Sequence, residues 1–191
     1  NIIKHINWNT KILSETKAFS ELVLNSYKKF GFDKVKIKFA DRPDVRAGSD
    51  EIWDGVLSSG KVLFGVATDD SHNYHDFSLN MSNPGRGWVM VKAETLEIHS
   101  IVEALATGEF YATTGVIVED LQISADYIHV KVAQEQDLLY TTRFTGKHGT
   151  PLATSIGVDA TYRPKGDEGY IRAVVLSSAG TKAWIQPLFL T

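Results

Sequence analysis

The chain has 191 residues, of which 43% are hydrophobic and 23% charged, enough for one large or two small globular domains. With 20 Lys and Arg against 23 Asp and Glu the formal charge is -3, and no basic cluster interleaves with aromatics, which argues against a nucleic-acid partner. The absence of cysteine excludes disulfides and thiolate ligands and is compatible with a cytoplasmic or an exported protein alike, while no apolar run approaches the roughly 20 residues of a membrane span.

In chain order, Ser14 reads as a cap for a helix carrying Ala18, Phe19, Leu22, Val23, Tyr27 and Phe30, with Gly31 as its stop. Lys34, Lys36 and Lys38 then alternate with Val35, Ile37 and Phe39, the pattern of a strand with one buried and one solvated face. Ser49 or Asp50 caps a second helix whose Ile52, Trp53, Val56 and Leu57 share a side and which ends at Gly60. The continuous apolar run Val62–Ala67 suits a strand buried on both faces, so strand, helix and strand with short connections predict a right-handed parallel crossover.

Asp69, Asp70 and His72 fall just beyond that run, at the end of a strand where α/β folds bind ligands. Alternation in an extended segment puts Asp70 and His72 on one side, where both could reach a divalent cation, and a carboxylate beside an imidazole suits zinc, manganese or iron. The plainer reading is an aspartate capping the next turn and a solvated histidine. The long loop over Asn73–Arg86 has the length of a binding loop; Arg86, between two glycines, is a candidate for a substrate phosphate or carboxylate, or else a surface arginine on a turn. His75 reads as a solvated loop residue.

Trp88–Lys92 alternates as a strand, and Thr95 reads as the cap of a helix through Ile98, Ile101, Val102 and Leu105 that Gly108 closes, with His99 on its polar side. From Val116 the texture becomes all-β, with alternation over Val116–Ile123, Tyr127–Val132, Leu138–Phe144, Val158–Tyr162, Tyr170–Leu176 and Ala183–Leu190. Six short strands suit a small sandwich or open barrel, with Trp184 as a packing anchor. In this half His129 and His148 look isolated, and Asp137 and Asp159 lack obvious partners. The expected fold class is therefore α/β over residues 1–115, followed by a small all-β sandwich-like domain over 116–191.

Several segments carry a family likeness: His5 Ile6 Asn7 Trp8; Glu51 through Gly60; Gly65 through His72; Pro84 Gly85 Arg86 Gly87 Trp88; Gly108 through Gly115; and the closing Ala183 Trp184 Ile185 Gln186 Pro187. In these the chain resembles the C-terminal part of a polymerase-and-histidinol-phosphatase (PHP) domain protein of the carbaryl-hydrolase-like branch. The resemblance implies a partial PHP-type distorted β/α barrel, two or three divalent metal ions (zinc, manganese or iron), and a bacterial-type hydrolase that attacks a phosphoester, carboxyl ester or carbamate with metal-activated water. It assigns His5, Asp70 and His72 as metal ligands and Asp69 as their support, and Arg86, from its place between two glycines, is the candidate for substrate charge. The family's other ligands lie upstream of this motif and nothing here supplies them, so the expectation is a fragment that is an enzyme only if those ligands are present. The expected partners are a small-molecule ester substrate, no nucleic acid and no membrane, with a complementary fragment or a homo-oligomer covering open strand edges. The alternative is a noncatalytic module whose β domain binds carbohydrate or protein through a stacking face of Tyr127, Tyr140, Tyr162 and Tyr170.

Overall fold

The computed structural model describes residues 3–4, 49–78 and 80–190. The chain divides into one compact unit of Asn1–His5 with Gly48–Thr191 and a second of Ile6–Ala47. The helix expected over Ala18–Phe30, the lysine-comb strand and His5 lie outside the described residues; the elements below belong to the first unit.

Alternating apolar residues build two antiparallel sheets. The larger contains β1 (Ile3–Lys4), β2 (Trp88–Lys92), β3 (Phe110–Thr113), β6 (Tyr140–Gly146), β7 (Thr150–Ile156), β9 (Tyr170–Ser177) and β10 (Lys182–Phe189), in the spatial order β1-β2-β3-β10-β9-β6-β7. The smaller is β4 (Val118–Ile123), β5 (Ile128–Val132) and β8 (Asp159–Tyr162), in the order β4-β5-β8. In β5 the period of two is complete: Ile128, Val130 and Val132 are buried while His129 and Lys131 are only partly covered. These residues, with Val118, Ala160 and Tyr162, face Tyr140, Phe144, Ile171, Ala173, Val175, Ala183 and Ile185 of the larger sheet in one core, making a β-sandwich. Phe144 and Tyr162 stack across it at 5.4 Å between ring centroids.

The other face of the large sheet is covered by α1 (Ser49–Ser58), which buries Trp53, Asp54 and Leu57. Gly60 ends the helix as its sequence suggests, at φ +79, with its N–H donated to the Leu57 carbonyl. Trp53, Leu57 and Tyr170 form a second apolar cluster flanked by Leu63, Trp184 and Phe189. Inside it Arg172, 3% exposed, donates from Nε and Nη2 to the two oxygens of Asp54, both at 2.7 Å, and the Tyr170 hydroxyl donates to Asp54 Oδ1 at 2.7 Å. Arg172 Nη1 lies 3.1 Å from Asp50, and its guanidinium sits 4.8 Å from the Trp53 ring centre. Burial alone would favour the neutral arginine, but the bonded Asp54 outweighs it and raises the Arg172 pKa above its ordinary value. Tyr170 is pushed up to about 12 by burial and then by Asp54.

The second helix, α2 (Ile98–Thr107), starts after Glu97, which makes no side-chain cap bond, so the cap expected from Thr95 is not used. It buries only Ala104; Ile98 is 70% exposed and His99 is solvated beside Glu103. Gly108 closes it at φ +82, and any Cβ there would strike the Phe64 ring, so both the turn and the packing require glycine.

The architecture corrects the expected α/β class. Among the described residues there are two α-helices, every strand pair is antiparallel, and no parallel crossover forms a partial barrel. The run Val62–Ala67, read as a doubly buried strand, belongs to no sheet, and Val62 and Val66 are 52% and 61% exposed. It lies as an extended strap, held by the Gln186 side chain, whose Oε1 accepts from Gly65 N at 2.9 Å and whose Nε2 donates to Gly65 O at 2.8 Å. Trp53 Nε1 adds a bond to Leu63 O at 2.8 Å. A continuous apolar run shows that a segment has surface to bury; it does not reveal whether strands flank it.

Candidate functional site

The strap ends in the cluster that the sequence singles out, and the structure shows what each side chain holds. Asp69 Oδ1 accepts from the N–H groups of Arg86 at 2.5 Å and Gly87 at 2.7 Å, and its Oδ2 accepts from Gly85 N at 2.9 Å. Three successive amides converge on one carboxylate, a backbone nest for an anion. Gly87 suits this approach, since a Cβ there would sit a tight 3.1 Å from the Thr68 carbonyl oxygen.

The loop between is stitched by its own polar groups. His72 N and Asn73 N both donate to Ser82 O, at 2.9 and 3.0 Å. The buried Asn83 amide donates to Asn73 O and Asp76 O and accepts from Ser78 N. Arg86, weighed as a substrate contact, donates from Nη2 to Ser78 O and Met81 O. Its fork therefore closes the loop on which it stands.

Asp70 and His72 are both exposed. Asp70 adopts φ +48, a left-handed conformation that aspartate tolerates better than most residues. His72 Nδ1 lies 2.6 Å from the Asp70 carbonyl oxygen, and because a carbonyl only accepts, that nitrogen carries the proton. His75 is exposed, as expected of a loop histidine. His5 lies outside the described residues, and among those residues no group of three or more His, Asp or Glu side chains is placed to hold a metal ion.

Two groupings escape a reading of the sequence. His129 is not isolated: its Nε2 is 3.2 Å from Asp159 Oδ1 and its Nδ1 is 3.6 Å from Asp120 Oδ2, across all three strands of the small sheet. Register is the signal that could have shown this, since β5 lies between β4 and β8. Glu168, 5% exposed, accepts from the Tyr162 hydroxyl and Lys165 N, both at 2.7 Å, and from Gly166 N at 2.9 Å. The nearby cleft of about 320 Å³ lies between Ala125, the Pro164–Gly166 turn and Leu188–Leu190, at the end of the last strand, and among the described residues Lys165 is its one charged wall.

The stacking face expected of the alternative module does not form. Tyr140, Tyr162 and Tyr170 are 3%, 6% and 1% exposed, because each sits on an inward position of a sandwich strand or under α1.

Asp69→Ala is expected to leave the sandwich folded and release the loop, costing about 1–3 kcal/mol locally through three lost acceptor bonds. Hydrogen exchange at Gly85–Gly87 and limited proteolysis over residues 70–83 measure it; unchanged protection would show that the nest is not what orders the loop.

No protein-family model matches the chain, and no solved structure does. Curated proteins do match over a short stretch. Threonine–tRNA ligase of Rhodospirillum rubrum is 57% identical over 44 residues, 23% of this chain and 7% of that protein. The Rickettsia africae enzyme of the same name is 52% identical over 77 residues, 40% of this chain and 11% of that protein, and that of Cupriavidus necator is 59% identical over 44 residues. The chain thus spans about a tenth of the length of the relatives it matches.

These matches correct the reading as a PHP-type hydrolase, which no comparison indicates. With it fall the ester substrate, the multinuclear zinc, manganese or iron set and the exclusion of nucleic acid, because the relatives are named for joining threonine to a tRNA. The motifs behind the PHP resemblance are short and rich in glycine, aspartate and tryptophan. Those within the described residues end α1, latch a turn and pack the sandwich.

Proposed function

We propose that this chain carries a part of a threonine–tRNA ligase and serves the joining of threonine to tRNA as a segment of that machinery, not as the complete catalyst. The observation that carries this reading is identity of 52–59% over 44–77 residues to ligases from several bacteria. The chain corresponds to 7–11% of those proteins, too little to supply the sites for an amino acid, a tRNA end and an activating co-substrate together. Esterifying a carboxylic acid with a ribose hydroxyl expels water and is uphill in water, so a nucleoside triphosphate is the co-substrate such a ligation needs. In this reading tRNA and threonine are the partners.

Transplantation tests it. When the 77 matched residues of the R. africae enzyme are replaced by this chain's counterpart, threonyl-tRNA formation is expected to stay within about tenfold of the parent. The chain alone is expected to form no threonyl-tRNA above background. A folded chimera that has lost more than about a hundredfold would sink the reading.

A further inference from the structure

Among the described residues, only part of the outward face of the large sheet is covered. α1 lies over Tyr170 and Arg172, and beyond them β10, β9, β6 and β7 bring a second set of outward side chains together. The pairing register sets Trp184, Val174, Arg143 and Thr154 in one row across these four strands. The next row is Lys182, Leu176, Thr141 and Ile156. Arg143, Thr154 and Ile156 are exposed, and the others are partly so. Neither row holds an Asp or a Glu. Arg143 makes no ion pair among the described residues, and Lys182 Nζ rests 5.7 Å from the centre of the Trp184 ring. Asp50 of α1 approaches Trp184 Nε1 at 3.5 Å, but its other oxygen is engaged by Arg172 Nη1 at 3.1 Å.

We infer that this open part of the sheet face binds a single-stranded segment of RNA, an inference that rests on the ligase reading, in which tRNA is the partner. Charge complementarity selects the occupant, since two cations with no carboxylate on their own surface are matched by a chain of anions. The aromatic selects its kind. An indole beside an ammonium takes a base on its ring and a phosphate on the charge, and a base is free to stack on a side chain where it is unstacked, in a single strand. β6 and β10 lie two strand spacings apart, about 10 Å, so Arg143 and Lys182 meet different phosphates. No basic run marks the surface in the sequence, because its two cations stand on strands that the register alone brings together.

Anisotropy of a labelled single-stranded RNA of about 12 nucleotides, titrated with the full chain, is expected to give a Kd of about 1–100 µM at about 50 mM salt. Affinity should fall with salt at a log–log slope of about -1.4, for two phosphates. Arg143→Gln and Lys182→Gln should each remove about half of that slope. Trp184→Leu should weaken binding at least about fivefold, whereas Trp184→Phe, which keeps a ring, should stay within about threefold. Lys131→Gln, on the other sheet and already paired with Glu119, should change nothing. A chain that binds no RNA up to about 500 µM overturns the inference. So does binding indifferent to Arg143 and Lys182, equal binding of an RNA duplex of the same length, or equal binding of poly-glutamate, which would give the face to an acidic protein. The chimera separates this inference from the reading beneath it. An active chimera with no RNA binding by the chain strikes this surface alone, and Arg143-dependent binding beside an inactive chimera strikes the ligase reading and keeps the surface.

Discussion

Asp54→Ala is expected to lower stability by about 3–5 kcal/mol, the largest loss from any single polar side chain of the described unit. The reason is the charge left behind. Arg172 is 3% exposed and its two short bonds to Asp54 hold the guanidinium in a low-dielectric gap between α1 and the large sheet. Without that carboxylate the cation keeps only its 3.1 Å approach to Asp50 and the Trp53 ring, and Tyr170 loses its acceptor. Removing both charges should hurt less than removing one: Asp54→Leu with Arg172→Met replaces the pair by apolar volume of similar size and should recover most of the loss. Urea unfolding of wild type and both variants measures this. If the double variant is as unstable as Asp54→Ala, the pair contributes specific geometry that apolar packing cannot replace, and the desolvation argument fails.

Acid should unfold the sandwich partly through Glu168. Burial would raise this carboxyl, but the N–H groups of Lys165 and Gly166 and the Tyr162 hydroxyl bind its charged form and bring it from 4.5 down to about 2. Because the folded value lies below the unfolded one, the stabilisation is complete above about pH 4.5 and is lost as pH falls toward 2. Tyr162, raised to about 12 by burial and then by Glu168, stays protonated and donating throughout. Glu168→Gln keeps the shape but not the charge, and should cost about 2 kcal/mol at neutral pH. The gap between wild type and variant in urea midpoint should shrink by more than half between about pH 6 and pH 3. A gap of constant size over that range would mean that Glu168 matters by packing alone.

Strands are legible in the sequence where one face is buried and the other wet. β5, with Ile128, Val130 and Val132 inward, is the clearest case, and β6 and β8 follow the same period, whereas β9 is buried on both faces over Tyr170–Ala173 and β10 alternates only over Lys182–Ile185. β7 escapes because Thr150–Ile156 is an edge strand of mixed polar and apolar residues containing a proline, which demotes any strand reading. The barrel expectation fails for a different reason. Helix periodicity is plain at α1 and α2, but parallel or antiparallel pairing is a property of connections across space, and β3, near residue 110, pairs with β10, near residue 185. The candidate site shows the same limit. Asp69 after an apolar run looks like a ligand, yet its donors come from a turn 16–18 residues onward. Asp54 and Arg172 stand 118 residues apart, and nothing in the sequence marks the arginine as buried on a strand covered on both faces.

The place of β10 in the large sheet bears on the order of assembly. It is the last described strand to leave the ribosome, yet it lies between β3 and β9, pairing with both. Until residues 182–189 emerge, β2 and β3 on one side and β9, β6 and β7 on the other are two half-sheets with raw inner edges. The β6–β7 hairpin and the β2–β3 pair, joined through α2, can close locally, but the shared core under Ala183 and Ile185 cannot. Closure of the large sheet therefore waits on residues 182–189, whose strand joins the two halves.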